Sequence, residues 1–481
     1  MKIFTTVLIS FFALFSSYPT DLQFTEHVIL ENIQGGVCLG AQDLNGDGYI
    51  DIAATGCTGN HVSWLQNDGN QNFTQHVIQN NFLGARVLDV KKVDSDNDYD
   101  IIVTAFTGNK ISWFENDGIG NFTEHIITDS MYRPSFVFGF DIDKDQDLDI
   151  VATSCKGHEI LWFENDGSQN FTEHLLKENW SGANFADVSD IDSDGDYDIV
   201  ATAKAGDVII FSNDGNEFFT EDTVISNWGE ASSVQAGDID SDGDIDLAVT
   251  NCGNKELTWF ENVNDSLILH TIRQNFPGAR SPVIVDFDKD GHVDIVAVAW
   301  GTFSSSAGSV ASIFLNDSTD HNFTEHIFVP YAYDLVKLFV IDLDEDGDND
   351  ILGATYMYHE IRWWENLEIT SDVGNNPTIN PDGFLLYQNY PNPFNPSTKI
   401  KFTITDVETY SDASLLVKLK VFDVLGNEIT TLINEEKSCG NYEIEFSSVG
   451  TSRDLSLPSG IYFYRLQAGN FVQTKKMVYL K

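Results

Sequence analysis

Between residues 22 and 366 apolar and polar positions alternate with a period of two, in short runs separated by turns rich in Asn, Asp and Gly. This is the pattern of half-buried β-strands, and no stretch shows the 3.6-residue spacing of an amphipathic helix. The runs recur in a fixed order. A strand such as GVCLGAQ (36–42), GARVLDV (84–90) or GANFADV (182–188) leads into an aspartate-rich loop. An apolar run follows, as in DIAATG (51–56), DIIVTA (100–105) and DIVATS (149–154). Next comes an aromatic strand ending in a turn, as in SWLQNDG (63–69), SWFENDG (112–118) and LWFENDG (161–167). NFTQHVI (72–78), NFTEHII (121–127), NFTEHLL (170–176) and their relatives close each unit.

The aspartate loops begin at residues 43, 92, 141, 190, 238, 286 and 342, so the unit occurs seven times. Four short strands repeated seven times at this spacing predict an all-β chain folded as a seven-bladed β-propeller of four-stranded blades. A linear solenoid is the competing architecture, but it would need distinct caps. The segment order favours a closed ring. LQFTEHVIL (22–30) precedes the first loop as an orphan fourth strand, while the seventh unit ends at RWWEN (362–366) with no such strand after it. Pairing of Phe24–Ile29 beside Ile361–Asn366 would give every blade four strands and leave no outer edge open.

Outside the repeats the composition changes. Residues 1–18 read as a signal peptide: Lys2, then the apolar stretch Ile3–Phe15, then Ser16 and Ser17, too short to span a bilayer. The propeller is placed at 19–366, and the polar stretch LEITSDVGNNPTINPD at 367–382 reads as a linker. A second β-rich domain is placed at 383–481. It opens with YPNPFNPSTKIKF (390–402) and closes with LPSGIYFYRLQAGNFVQTKKMVYLK (457–481).

Charge sharpens the picture. Against 26 Lys and Arg stand 75 Asp and Glu, a formal net charge of −49. Such a field disfavours nucleic acid and anionic lipid as partners and favours a cation. The acids concentrate in the loops, whose pattern D-x-[DN]-x-D-G-x-x-D places oxygen donors at positions 1, 3, 5 and 9. The candidate ligands are Asp43, Asn45, Asp47 and Asp51; Asp141, Asp143, Asp145 and Asp149; Asp190, Asp192, Asp194 and Asp198; Asp238, Asp240, Asp242 and Asp246; Asp286, Asp288, Asp290 and Asp294; and Asp342, Asp344, Asp346 and Asp350. With a backbone carbonyl at position 7 these all-oxygen sets suit Ca²⁺, rather than the tighter octahedron of Mg²⁺ or the nitrogen and sulfur preferred by zinc. Position 12 carries Ala, Val or Gly, so these are hairpin loops and not EF-hands. In the second loop Lys92 replaces the first Asp and Asn97 the Gly, and an ammonium there can neutralise Asp94, Asp96 and Asp100 without metal. In the third loop Gln146 stands where a positive φ is expected, its four acids intact.

On these residues 22–366 resembles the FG-GAP/VCBS family of calcium-binding propeller repeats, which includes the propeller of integrin α-chains. The resemblance implies structural calcium ions, about six from this ligand count, pinning the hairpin between the first two strands of each blade. The opening YPNPFNPST, the motif VFDVLG (421–426) and the closing GIYFYRL…TKKMVYLK resemble the C-terminal sorting domain of type IX secretion substrates. That resemblance implies a small β-sandwich, a Gram-negative host, contact with the type IX machinery, and release or attachment at the cell surface.

No HExxH, GxSxG or P-loop motif occurs, and no catalytic residue stands out. His27, His76, His125, His174, His270 and His326 share one register, one per blade, and read as a repeated surface position rather than a zinc site. Trp64, Trp113, Trp162, Trp259 and Trp363 share another and read as packing between blades. The mouth opposite the acidic loops collects Phe82, Tyr132, Trp180, Trp228, Phe276, Trp300 and Tyr331, with Phe106, Phe303, Tyr333, Tyr356 and Tyr358 near them and Arg86, Arg133 and Arg280 beside them. These residues suit either a ligand face for a glycan or protein, or packing between blades. Cys38 and Cys57, nearly symmetric about Asp47, are expected to face each other across a strand pair and form a disulfide. The composition thus supports a non-catalytic binding propeller, an extracellular polysaccharide lyase or hydrolase, or a passive surface component.

Overall fold

The computed structural model of the chain describes residues 22–216, 218–264, 266–300, 309–316, 322–332 and 334–367. Towards the C-terminus it describes 384–386, 389, 394–404, 415–422, 428–437, 440–447, 457–468 and 471–479. The expected signal peptide, all but the first residue of the expected linker, Phe303, Tyr333 and Cys439 lie outside the described residues. The chain forms two compact units, 1–369 and 370–481.

The first unit contains seven antiparallel four-stranded sheets and, among the described residues, no helix. In six blades the strands lie in sequence order, as in 36–42, 51–56, 61–67 and 73–80 of the first. The seventh is built from both ends of the repeat region: Leu335–Ile341, Asp350–Thr355 and Ile361–Asn366, with Phe24–Leu30 as its outermost strand. Phe24 pairs with Asn366, His27 with Trp363 and Val28 with Arg362, the closure that the orphan first strand predicted.

Burial explains the residue types strand by strand. Every residue of each second strand is buried, from Asp51–Gly56 to Asp350–Thr355, because both faces pack on other blades; hence their Ala, Val, Ile and Thr. The fourth strands lie outermost and are only half-buried, so they keep Thr, Glu and His between their apolar positions. Side chains of neighbouring blades form shared cores. One joins Val62, Trp64 and Phe82 to Ala85, Ile101, Val103 and Phe114. Innermost edges are capped from the preceding blade: Asp89, Asp187 and Gln235 accept from the N–H groups of Gly139 (3.0 Å), Ala236 (2.8 Å) and Ile284 (2.8 Å). A sheet edge left with bare donors would otherwise invite pairing with other chains.

The five repeated tryptophans are buried, and each stacks on the histidine opposite it in the fourth strand, at centroid distances of 4.5–4.9 Å. Four of those histidines reach a Glu of the third strand through Nε2 at 2.6–2.8 Å: His27–Glu365, His125–Glu115, His174–Glu164 and His270–Glu261. The histidines are therefore cross-strand partners of the tryptophans rather than plain surface positions. Trp64, Trp162 and Trp259 also meet Phe122, Phe219 and Phe323 of the following blade at 5.7–6.4 Å.

The expected disulfide is absent: Cys38 and Cys57 are free thiols. The register explains this. The strand pair shifts between Gly36 and Leu39, which places Cys38 beside Thr55, while Cys57 lies past the strand end with its N–H on Gly35 O (2.9 Å). Cys38 instead turns into the interface with the second blade, 3.6 Å from Leu88 O.

The second unit holds a three-stranded sheet (Phe384–Leu386, Ser397–Ile404, Gly440–Ser447) and a four-stranded sheet (Glu428–Lys437, Leu415–Phe422, Gly460–Ala468, Phe471–Tyr479). Ile400, Phe402 and Phe446 of one sheet share a core with Val417, Leu419, Tyr464 and Met477 of the other, giving a small sandwich.

Deleting residues 19–30 should bare the edge of Ile361–Asn366 and uncover Trp363. Burying one large apolar side chain is worth about 1.5–3 kcal/mol, so differential scanning calorimetry should show a much larger drop in Tm than trimming an ordinary tail produces. An unchanged Tm would contradict closure by the first strand.

Candidate metal centre

Each aspartate loop folds on its own backbone. The position-5 N–H donates to the position-3 side chain and the position-7 N–H to the position-5 carboxylate, at 2.8–3.4 Å in all seven loops. In six loops the position-6 N–H donates to the position-1 carboxylate at 2.9–3.3 Å. Position 6 is left-handed throughout, with φ of 93–104° where it is Gly; Gln146 (79°) and Asn97 (80°) accept the same conformation. Both oxygens of Asp43 hold the turn, accepting from Gly46 and Gly48, whereas Asp141, Asp238, Asp286 and Asp342 use only Oδ2 for it.

In five loops three carboxylate oxygens lie within 4.8 Å of one another: Asp141, Asp143 and Asp149; Asp190, Asp192 and Asp194; Asp238, Asp240 and Asp246; Asp286, Asp288 and Asp290; and Asp342, Asp344 and Asp350. At an effective dielectric near 20, two such charges repel by about 3 kcal/mol. Asp141, Asp238, Asp286 and Asp342 each have a buried Oδ1 with no hydrogen-bond partner. A buried carboxylate oxygen without a donor is costly, and it suits a cation. Asp348, at position 7 of the seventh loop, adds two more such oxygens. The loop pattern missed it because acids at position 7 recur elsewhere. The first loop, with Asn45 at position 3, does not bring three carboxylates together. In the second loop the Lys92 ammonium goes to Asn97 Oδ1 (2.6 Å) and over the Tyr99 ring (4.9 Å), not to the carboxylates as expected.

The ninth-position aspartate is more than a ligand. All seven (Asp51, Asp100, Asp149, Asp198, Asp246, Asp294 and Asp350) are buried. One oxygen accepts the position-2 N–H of its own loop, at 2.8–3.1 Å. The other accepts the N–H of the Asn that ends the third strand, at 2.7–2.9 Å. These asparagines (Asn67, Asn116, Asn165, Asn213, Asn262, Asn316 and Asn366) are buried too. Asn116, Asn262 and Asn316 also donate across to the preceding blade, to Leu44 O (2.6 Å), Ile191 O (2.9 Å) and Ile239 O (3.1 Å). Sequence reasoning took them for turn residues; their recurrence in all seven units was the available signal. Burial holds the carboxyls of Asp51, Asp100, Asp149, Asp294 and Asp350 up at about 7 and those of Asp198 and Asp246 at about 6, against their backbone donors.

At the opposite end, Phe82, Trp180 and Phe276, which suited either a ligand face or packing between blades, are 1 %, 4 % and 0 % exposed and take the packing role. Their rings fill the space between blades, against Phe114, Phe211 and Phe314. Trp228 is half-buried against Phe260, and Trp300 is half-buried with the Arg280 guanidinium 4.2 Å above its ring. Arg133 lies over both Phe106 and Tyr132, and Arg86 over Phe106. Tyr132 and Tyr331 are exposed.

The geometry defines an all-β propeller with acidic hairpin loops and an appended sandwich, and comparison with known proteins agrees. The FG-GAP-like repeat family matches at residues 92–152, 141–201, 190–249 and 238–297, and the secretion system C-terminal sorting domain matches at 388–480. No curated protein matches. Similar solved structures include chains in the crystals of BBS1N in complex with ARL6DN, soaked with lead and with mercury. Each is 11 % identical, with a TM-score of 0.51, and covers 73 % of this chain and 98 % of that one, a likeness of fold alone. This chain carries FG-GAP-like repeats and a type IX sorting domain, which marks it for export to the cell surface or the medium. Among the described residues no helix is long and apolar enough to cross a membrane.

Asp100→Ala leaves two buried N–H groups without an acceptor, and each costs roughly 1–3 kcal/mol. Urea denaturation should show a loss of about 2–6 kcal/mol with or without chelator. Asp240→Asn should cost stability only when a divalent cation is present. The raised carboxyls also set a pH dependence. Because the folded chain holds these protons more tightly than the unfolded one, stability in chelator should fall as pH rises from about 4 to about 7. Tm should therefore be lower at about pH 7.5 than at about pH 5, and added cation should remove the difference.

Proposed function

We propose that the chain is an exported, calcium-stabilised propeller that serves as a non-catalytic binding module for a glycan or a protein at the cell surface. The observation that carries the calcium reading is the buried, donor-free Oδ1 of Asp141, Asp238, Asp286 and Asp342 beside two further carboxylates of the same loop. Carboxylates at positions 1, 3, 5 and 9 would hold the ion, with Asn45 serving at position 3 of the first loop. Calcium accepts such irregular all-oxygen sets, whereas Mg²⁺ demands a stricter octahedron. Bound calcium would supply the positive charge that lets several aspartates share one hairpin. The hairpins then act as fixed struts, and the variable links at the other end are left to recognise a partner. Residues 19–366 are read as the binding domain and 383–481 as the export domain, joined by 367–382.

Metal analysis of the purified chain should find about six calcium ions, and EDTA should lower the melting temperature. A melting curve that EDTA leaves unmoved would refute structural calcium. Removal of residues 383–481 should leave a folded propeller stranded in the periplasm, so normal secretion of the truncated chain would refute the export role. Binding itself is checked on glycan and protein arrays with and without chelator. Reducing-end or unsaturated products from any polysaccharide would instead make the chain an enzyme.

A further inference from the structure

Every link from the outer strand of one blade to the inner strand of the next places one side chain at the same spot. In six of the seven links its N–H donates to the turn between the second and third strands. The pairs are Ile33 to His359, Phe82 to Asn60, Trp180 to His158, Trp228 to Gly206, Phe276 to Lys255 and Ala332 to Ser309, at 2.8–3.2 Å. Met131 holds this place in the second link, two residues before Arg133, whose N–H caps Asn109 as that of Gly84 caps Asn60. Four of these side chains are aromatic and pack on a third-strand Phe of the following blade, at 5.6–6.2 Å. Ile33 and Met131 are buried in the same role.

The sixth-to-seventh link departs from this. Its plug is the methyl group of Ala332, and the residue in register with the third-strand Phe is Trp364. A cavity of about 260 Å³ remains, walled by Trp364, Leu335 and Val329. Tyr331 (69 % exposed), Tyr358 (56 %) and Arg362 form its rim, with Met357 (64 %) close by in sequence.

We infer that this junction is a pocket for one aromatic side chain of a partner protein, received where the other links insert a side chain of their own. The inference rests on reading the propeller as a binding module and names its site. An aromatic ring is the occupant because Phe and Trp fill the equivalent space at four other junctions. A protein is the carrier because exposed Tyr and Met and a half-buried Arg around a buried aromatic wall are the composition of an interface centre. The rim is poorly suited to a sugar. The Arg362 guanidinium is already held by Glu26 and Glu360, and the Thr355 hydroxyl by the backbone of Glu360. The chain's net charge of −49 favours basic residues beside the inserted ring.

The test uses the full calcium-loaded chain and a displayed library of random peptides. Selected peptides should share a Phe, Tyr or Trp next to Lys or Arg. Ala332→Phe, which supplies the missing plug, should weaken a selected peptide at least ~tenfold while leaving Tm equal to or above that of the parent chain. Ala332→Leu, a smaller plug, should weaken it less, and it carries the test if the Phe variant misfolds. A lower Tm for both variants would show that no space exists in solution and overturn the pocket. Peptides without a common aromatic, or peptides indifferent to both plugs, would overturn it as well. A glycan lost on plugging would overturn the aromatic assignment. Ligands that bind at full strength to both plugged variants would leave the binding-module reading standing and remove only this site.

Discussion

Seven buried aspartates hold the propeller's hairpins together. Each ninth-position carboxylate joins two backbone donors, one in its own loop and one at the end of the third strand. Three consecutive pieces of a blade thereby become one unit. A charge buried in this way survives only with compensation. The two donors provide part of it, and the clustered oxygens of positions 1 and 3 show where a cation would provide the rest. The second loop separates the two contributions. Lys92 has displaced the first acid, yet Asp100 keeps both of its backbone bonds. The clamp is thus a property of the chain itself, and the cation set is laid over it.

Ring integrity follows from repeating small contacts around a closed path. Asparagines at third-strand ends reach back to the preceding loop, and inner-strand acids cap the next blade's bare N–H groups. Tryptophans stack on histidines within a blade and touch phenylalanines of the next. The seam uses the same contacts between residues more than three hundred positions apart: His27 stacks on Trp363 and bonds Glu365, and Glu26 meets Arg362. The seam thus repeats, between the first and last strands of the propeller, the contacts found within the other blades.

The two ends of the propeller are built on opposite principles. At the loop end the clamp repeats in all seven units and the clustered oxygens in five, because each needs particular atoms. At the link end only the volume of the plug matters, and Ile33, Phe82, Met131, Trp180, Trp228 and Phe276 satisfy it in different ways. A position constrained only by volume is free to change, and the small residue at position 332 leaves an opening there.

Much of this was legible in the sequence. Period-two alternation, the spacing of the acidic loops and the displaced first strand sufficed for seven closed blades, because strand patterning and edge pairing are local rules applied seven times. The carboxylate clusters of five loops were legible for the same reason, as was the positive φ required at Gln146. Side-chain direction was not. Phe82, Trp180 and Phe276 read as a possible ligand face but are core, Cys38 turned away from Cys57 at a strand irregularity, and the asparagines read as turns are buried clasps. The Ala332 cavity likewise depends on side chains brought together from two blades. Sequence determined which segments become strands and loops, since period and turn chemistry act between near neighbours. Tertiary structure alone decided which side chains face another blade, a cation or solvent, since that depends on contacts between residues a whole blade apart.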